Sequence, residues 1–96
     1  MKPADRPIAS PDVVLREEFD DWAVLFHPLT GEAIGTSPAG VAVWKLLDGV
    51  RTLEEVAKAV QAQCEDAPEV DTVLGDTLTF TDDLARRLFV VMKDEG

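Results

Sequence analysis

The stretch AGVAVWKLLDGVRTLEEVAKAVQAQ, Ala39 to Gln63, reads as two short helices joined by a tight turn. Its boundaries are chemically marked. Ser37 supplies an N-cap hydroxyl, Pro38 suits the first helical position, and Gly49 suits a C-terminal stop. The spacing predicts a first helix over Pro38–Asp48 that buries Val41, Trp44 and Leu47 or Leu46. Thr52-Leu53-Glu54-Glu55 is a capping box, in which the threonine caps and Glu55 reaches back. A second helix is expected over Leu53–Cys64, burying Val56, Ala59 and Val60, until EDAPE breaks it. Two helices and a turn raise the question of DNA.

Upstream, VVLREEF (Val13–Phe19), WAVLFH (Trp22–His27) and EAIGT (Glu32–Thr36) have the β-branched and aromatic content of strands. Asp20-Asp21 and the segment from His27 to Glu32 supply turns, so a three-stranded antiparallel meander is expected. The middle strand is apolar on both faces, with Trp22, Val24 and Phe26 one way and Ala23 and Leu25 the other. Either the chain covers both faces itself, or one face is kept for a partner.

Downstream, a third helix is expected over Val70–Leu88. Gly75 and four threonines make its propensity poor, so packing must hold it. Val73, Thr77, Phe80, Leu84 and Leu88 form one stripe. Val70, Leu74, Leu78, Thr81 and Ala85 form a second, which either widens the buried face or lines a groove. Phe89–Met92 reads as a short terminal strand or extended tail. The predicted fold is α+β and winged-helix-like, a three-stranded antiparallel sheet followed by three helices. Residues 1–11, with three prolines, read as a flexible N-terminal arm, 12–92 as a single domain and 93–96 as a tail.

Ninety-six residues suffice for one modest core, and 46% hydrophobic content favours folding. No apolar run approaches the roughly 20 residues of a membrane span, and the N-terminus lacks a signal-peptide core, so a cytoplasmic location is the expectation. Nineteen acids against nine bases give a formal charge of -10. Phosphate binding needs clustered cations, but Lys45, Arg51, Lys58, Arg86, Arg87 and Lys93 are scattered, and the second helix is bordered by Glu54, Glu55 and Glu65. A winged-helix DNA-binding regulator is thus the weaker alternative, and no nucleic acid is expected. One cysteine, Cys64, and one histidine, His27, cannot by themselves build a zinc site or an internal disulfide. Cys64 reads as a buried thiol and His27 as a surface turn residue. No nucleophile–base pair or phosphate loop appears, so the chain reads as a binding module without catalytic residues, cofactor or metal.

The string VVLREEFDDWAVLFHPLTGEAIGTSPAGVAVWKLLDG, followed by TLEEVAKAV, resembles the PqqD family and, more generally, the RiPP recognition element. (RiPPs are ribosomally made and afterwards modified peptides.) Trp44, Leu46, Leu47, Asp48 and Gly49 carry the most specific match, within a resemblance spanning Val13 to Val91. LREEFDDWAVLF with WKLLDG is similar, more narrowly, to the PqqD-related proteins of SynChlorMet-type cassettes. Two departures stand out: Gly35-Thr36 where the family has Leu-Asn, and Leu88 where it has glycine.

The resemblance implies a non-catalytic accessory protein. It would bind the leader segment of a precursor peptide along the edge of the third strand, in a cleft shared with the third helix. It would present that segment to a modifying enzyme, typically a radical S-adenosylmethionine enzyme. Glu32, Ala33, Ile34, Gly35 and Thr36 would supply the strand edge; Leu74, Leu78, Thr81 and Ala85 would receive leader side chains. Arg86 and Arg87 would pair with leader acids. An open edge and two apolar sheet faces also raise the expectation of a homodimer.

Overall fold

The computed structural model describes residues 1–18, 22–63, 66 and 68–92. The Asp20-Asp21 turn, Cys64, most of the EDAPE break and the 93–96 tail lie outside the described residues. Among the described residues, strands and helices follow in the order β1 (Pro7–Ala9), β2 (Val14–Glu17), β3 (Ala23–His27), β4 (Glu32–Thr36), α1 (Pro38–Leu46), α2 (Leu53–Gln63), α3 (Val70–Arg86) and β5 (Val90–Met92). The expected α+β order is present: an antiparallel sheet β2-β3-β4, then three helices.

Register explains the division of faces. Leu25 stands opposite Leu15 and Ile34, and Ala23 opposite Thr36. Ala23, Leu25 and His27 all point inward and are buried. Val14 and Ala33 flank Phe26, while Arg16 and Gly35 flank Val24, all on the outer face. That face is open: Trp22 is 59% exposed, Val14 47% and Phe26 37%. Of the two ways to treat a doubly apolar strand, this chain leaves one face uncovered.

Both helix starts are capped as their sequences predict. The Gly40 N–H donates to Ser37 Oγ at 3.3 Å. At α2, the Thr52 N–H donates to Glu55 Oε1 at 2.9 Å and the Glu55 N–H to Thr52 Oγ1 at 3.1 Å. The Thr52 N–H foremost, and then the Thr52 hydroxyl donating to the same Glu55 oxygen at 3.1 Å, hold the Glu55 carboxyl below the usual carboxylate range. Gly49, at φ +77°, makes the left-handed turn between α1 and α2. Beside it, Asp48 Oδ1 accepts the Val50 and Arg51 N–H groups at 2.9 Å each. The Arg51 bond foremost, then the Val50 bond, holds the Asp48 carboxyl low as well.

The N-terminal eleven residues are not a loose arm. Pro7–Ala9 pairs antiparallel with β5, a second sheet of two strands. Its other side meets the α1–α2 turn, where the Ala9 N–H donates to Leu47 and the Gly49 N–H to Pro7. Farther back, the Asp5 and Pro3 carbonyls accept the Leu53 and Glu54 N–H groups, each at 3.0 Å. A helix start leaves its first N–H groups without intrahelical partners. Here the N-terminal segment takes two of α2's, and Thr52 takes a third. Polar backbone at both ends thus has a reason to stay ordered.

One core joins these pieces. Leu25 from the sheet, Val43, Trp44 and Leu47 from α1, Leu53, Val56, Ala57 and Val60 from α2, Val73 and Leu84 from α3, and Phe89 and Val90 behind it form one cluster. Ala57 replaces the expected Ala59, which is only half-buried. His27 is not a surface turn residue: it is 4% exposed, with its ring edge-on to Phe89 at 5.6 Å. Its inward parity in β3 outweighs its position beside a turn.

α3 holds despite its threonines because they satisfy themselves. Thr77 Oγ1 donates to the Val73 carbonyl and Thr81 Oγ1 to the Thr77 carbonyl, both at 2.8 Å. Both side chains are therefore buried without an unpaired hydroxyl. The helix closes on Leu88, at φ +65°. The Phe89 N–H bonds back to the Leu84 carbonyl at 2.8 Å, the six-to-one bond of a Schellman closure.

Candidate functional site

β4 has β3 on one side and, among the described residues, no strand on the other. Its alternate N–H and C=O groups therefore face outward, the arrangement that lets an extended segment add as a strand. α3 borders this edge at both ends of β4. At the start, the Arg87 guanidinium bonds to Glu32 and, at 3.0 Å, to Asp83. At the other end, a methyl placed on Gly40 would sit 1.9 Å from Thr36 Oγ1 and 3.4 Å from Phe80 Cζ. Glycine is required there because β4, α1 and α3 converge without room for a side chain.

Between these elements opens a cavity of about 540 Å³. Thr36 and Ser37 line it from the end of β4, Gly40 and Val43 from α1, Val60 from α2, and Val73, Asp76, Thr77 and Phe80 from α3. Asp66 and Pro68 complete the wall. Its size suits one or two apolar side chains, and Asp66 and Asp76 set a negative potential on its lining.

The five expected strand residues make up β4. Ala33 and Gly35 are exposed, Ile34 and Glu32 half-buried, and Thr36 is buried at the cavity wall. The helix half is displaced. Leu74, Leu78 and Ala85 are half-buried against the core, and none of them lines the cavity. Thr81 is fully buried and its hydroxyl is spent within the helix, so it has no contact to offer. Arg86 is exposed; Arg87 is already paired. The bond to Asp83, with its charge, and then Glu32 raise the Arg87 pKa further above its ordinary value. Arg87 thus ties α3 to β4 rather than waiting for a ligand's carboxylate.

The α3 face toward β4 is instead Asp76, Phe80, Asp83 and Arg87. The spacing of four, three and four is one helical face. Sequence reading placed Phe80 in the core stripe and passed over the aspartates, because a polar–apolar mixture has no hydrophobic periodicity to detect. The recognition-helix alternative finds little: α2 exposes Glu54, Glu55 and Lys58, and Lys58 pairs with Glu54 at 3.3 Å.

The profile of the family described as coenzyme PQQ synthesis protein D (PqqD) matches residues 23–90, from β3 through the first residue of β5. The chain belongs to the PqqD family. The match spans both walls of the cleft and leaves out β1 and β2. No curated protein matches the chain. Among solved structures, this PqqD-family chain is similar to TbiB1, whose structure is in complex with the TbiA(beta) leader peptide. The TM-score is 0.73 at 28% identity, over 92% of this chain and 99% of that one. The likeness therefore extends beyond the residues that the family profile matches. Among the described residues no helix is long and apolar enough to cross a membrane, and no group of three or more His, Cys, Asp or Glu is placed to hold a metal.

Proposed function

We propose that this PqqD-family protein binds the leader segment of a ribosomal precursor peptide along the open edge of β4. It then presents that segment, without catalysing any step itself, to the enzyme that modifies the peptide. On the family resemblance, that enzyme is a radical S-adenosylmethionine enzyme. The observation that carries the reading is the unpaired β4 edge, which ends at Thr36 on an apolar cavity beside a flanking helix. Backbone bonds along the edge supply affinity irrespective of sequence, and the cavity supplies selection. An apolar leader side chain would enter between Gly40, Val43 and Phe80. A Lys or Arg next to it would meet Asp76 or Asp66, complementing a strongly acidic chain. The similar TbiB1, solved with its leader peptide, supports the same mode of use.

The test is selection of displayed random peptides on the full-length protein. A length of about 12 residues overhangs β4 at roughly 3.3 Å per residue. An enriched peptide is then titrated into nitrogen-15-labelled protein. Shifts at Glu32–Thr36, Gly40, Thr77 and Phe80 are expected, with an apolar residue beside a basic one common to the enriched set. Failure to enrich any peptide, or shifts confined to the exposed face of α2, would overturn the reading.

A further inference from the structure

An added strand has two faces, and the cavity accounts for only one. Side chains alternate along a strand, so every second residue of a segment on the β4 edge would emerge on the outer face, level with Ala33 and Gly35. These are the smallest residues of β4, and neither screens the edge from β3. Trp22 fills that gap. Its ring carbon Cζ3 lies 3.4 Å, and Cε3 3.7 Å, from the position of a Cβ on Gly35. The ring thus lies across the glycine, leaning from β3 toward the open edge, yet 59% of the residue stays exposed. A large indole held over a glycine and left half in water is unfinished packing.

From this geometry we infer that Trp22 reads the outward-facing side chain of the segment bound on β4. The selected residue is apolar or aromatic, and it closes over Ala33 and Gly35 against the indole. The inference rests on the peptide-binding reading and adds a second specificity contact, on the face opposite the cavity. Phe26, 37% exposed and opposite Ala33, extends the same apolar strip. A second copy of the chain laid flat on this face is the poorer occupant. It would have to cover Arg16, which stands opposite Val24 with its Nε 3.8 Å from Glu18 and its side chain 72% exposed. Burying that weakly paired guanidinium carries a desolvation cost that a strand on the β4 edge avoids. The bound strand also continues an interface the fold already leaves open.

The experiment uses the phage-selected peptides and the full-length protein. The protein contains two tryptophans, Trp22 exposed and Trp44 buried, so two indole N–H signals report separately; Trp22→Phe assigns them. The Trp22 signal is expected to move on peptide addition. Trp22→Ala, at an exposed site, should lower affinity by about three- to tenfold, the range of one aromatic contact. Truncating the outward-facing peptide residue to Ala should cost as much with the wild-type protein and almost nothing with Trp22→Ala. Equal losses in both backgrounds, together with an unmoved Trp22 signal while β4 and cavity signals shift, would overturn the Trp22 contact and leave the cleft reading standing. If no peptide shifts β4 at all, the cleft reading fails and takes this contact with it. A Trp22 signal that moves with protein concentration alone, and not with peptide, would assign the face to a second copy and overturn the inference.

Discussion

Leu88 is the residue whose sequence and conformation disagree most openly. It holds φ +65° at the end of α3, where β-carbon sterics penalise every residue but glycine. It is also 61% exposed, so its side chain returns little by burial. Leu88→Gly should therefore stabilise the protein by about 1 kcal/mol, read as a raised midpoint in urea with an unchanged slope. A lowered midpoint would mean that Leu88 makes a contact worth more than its strain. The PqqD pattern has glycine at this position, and that departure was visible in the sequence; the positive φ behind it was not. Other residues hid for similar reasons. Thr81 looked like a groove residue because its stripe was continuous, but hydroxyl donation to the Thr77 carbonyl let the helix bury it. Of Arg87's two partners only Asp83, four residues back, is local; Glu32 lies 55 positions away in the chain. Pairing at that separation leaves no local signal.

At the scale of elements, strands and helices with clear caps or period-2 patterning were legible almost to their ends. The Ser37 cap, the Thr52–Glu55 box and the three strands of the meander all follow from local rules. What local rules could not supply was β1. Pro7–Ala9 has neither length nor alternation, and its strand character comes from β5 and the α1–α2 turn, which lie far along the chain. The same distance hid the cavity, which needs β4, α1 and α3 together. The consequence is testable. Removing residues 1–9 takes away β1, the backbone bonds to Leu47, Gly49, Leu53 and Glu54, and the buried Pro7. At about 1 kcal/mol for each of these hydrogen bonds, the loss is on the order of 4 kcal/mol. Since a domain of this size is stable by only about 5–15 kcal/mol, the truncated protein should melt well below the full chain. Far-UV circular dichroism during heating measures this, and coincident melting curves would show that the segment is not part of the fold.

At the scale of the whole molecule, charge and caps pull against each other as pH falls. The formal charge of -10 means that protonating carboxylates first relieves self-repulsion, which favours the compact state. Asp48 and Glu55 act in the other direction. Both are held below their ordinary values by the backbone N–H groups they accept, so the unfolded chain binds their protons more readily than the folded one. Stability from these two carboxylates is therefore fully present above the unfolded-state values and is lost as pH falls through the lower folded-state values. Wild-type and Asp48→Asn/Glu55→Gln proteins share the repulsion term almost entirely, so their difference isolates the caps. The gap in melting temperature should have its full width near about pH 6, begin to narrow as pH falls through the unfolded-state values near about 4, and close only below the lower folded-state values, where the wild-type carboxyls are protonated too. Arg87 drops out of this comparison because an arginine stays charged throughout that range in the unfolded chain, and its folded-state pKa is raised further. A gap that stays constant down to about pH 3 would show that the two carboxyls titrate alike, folded and unfolded, and that their hydrogen bonds to Thr52, Val50 and Arg51 hold the neutral amide as well as the anion.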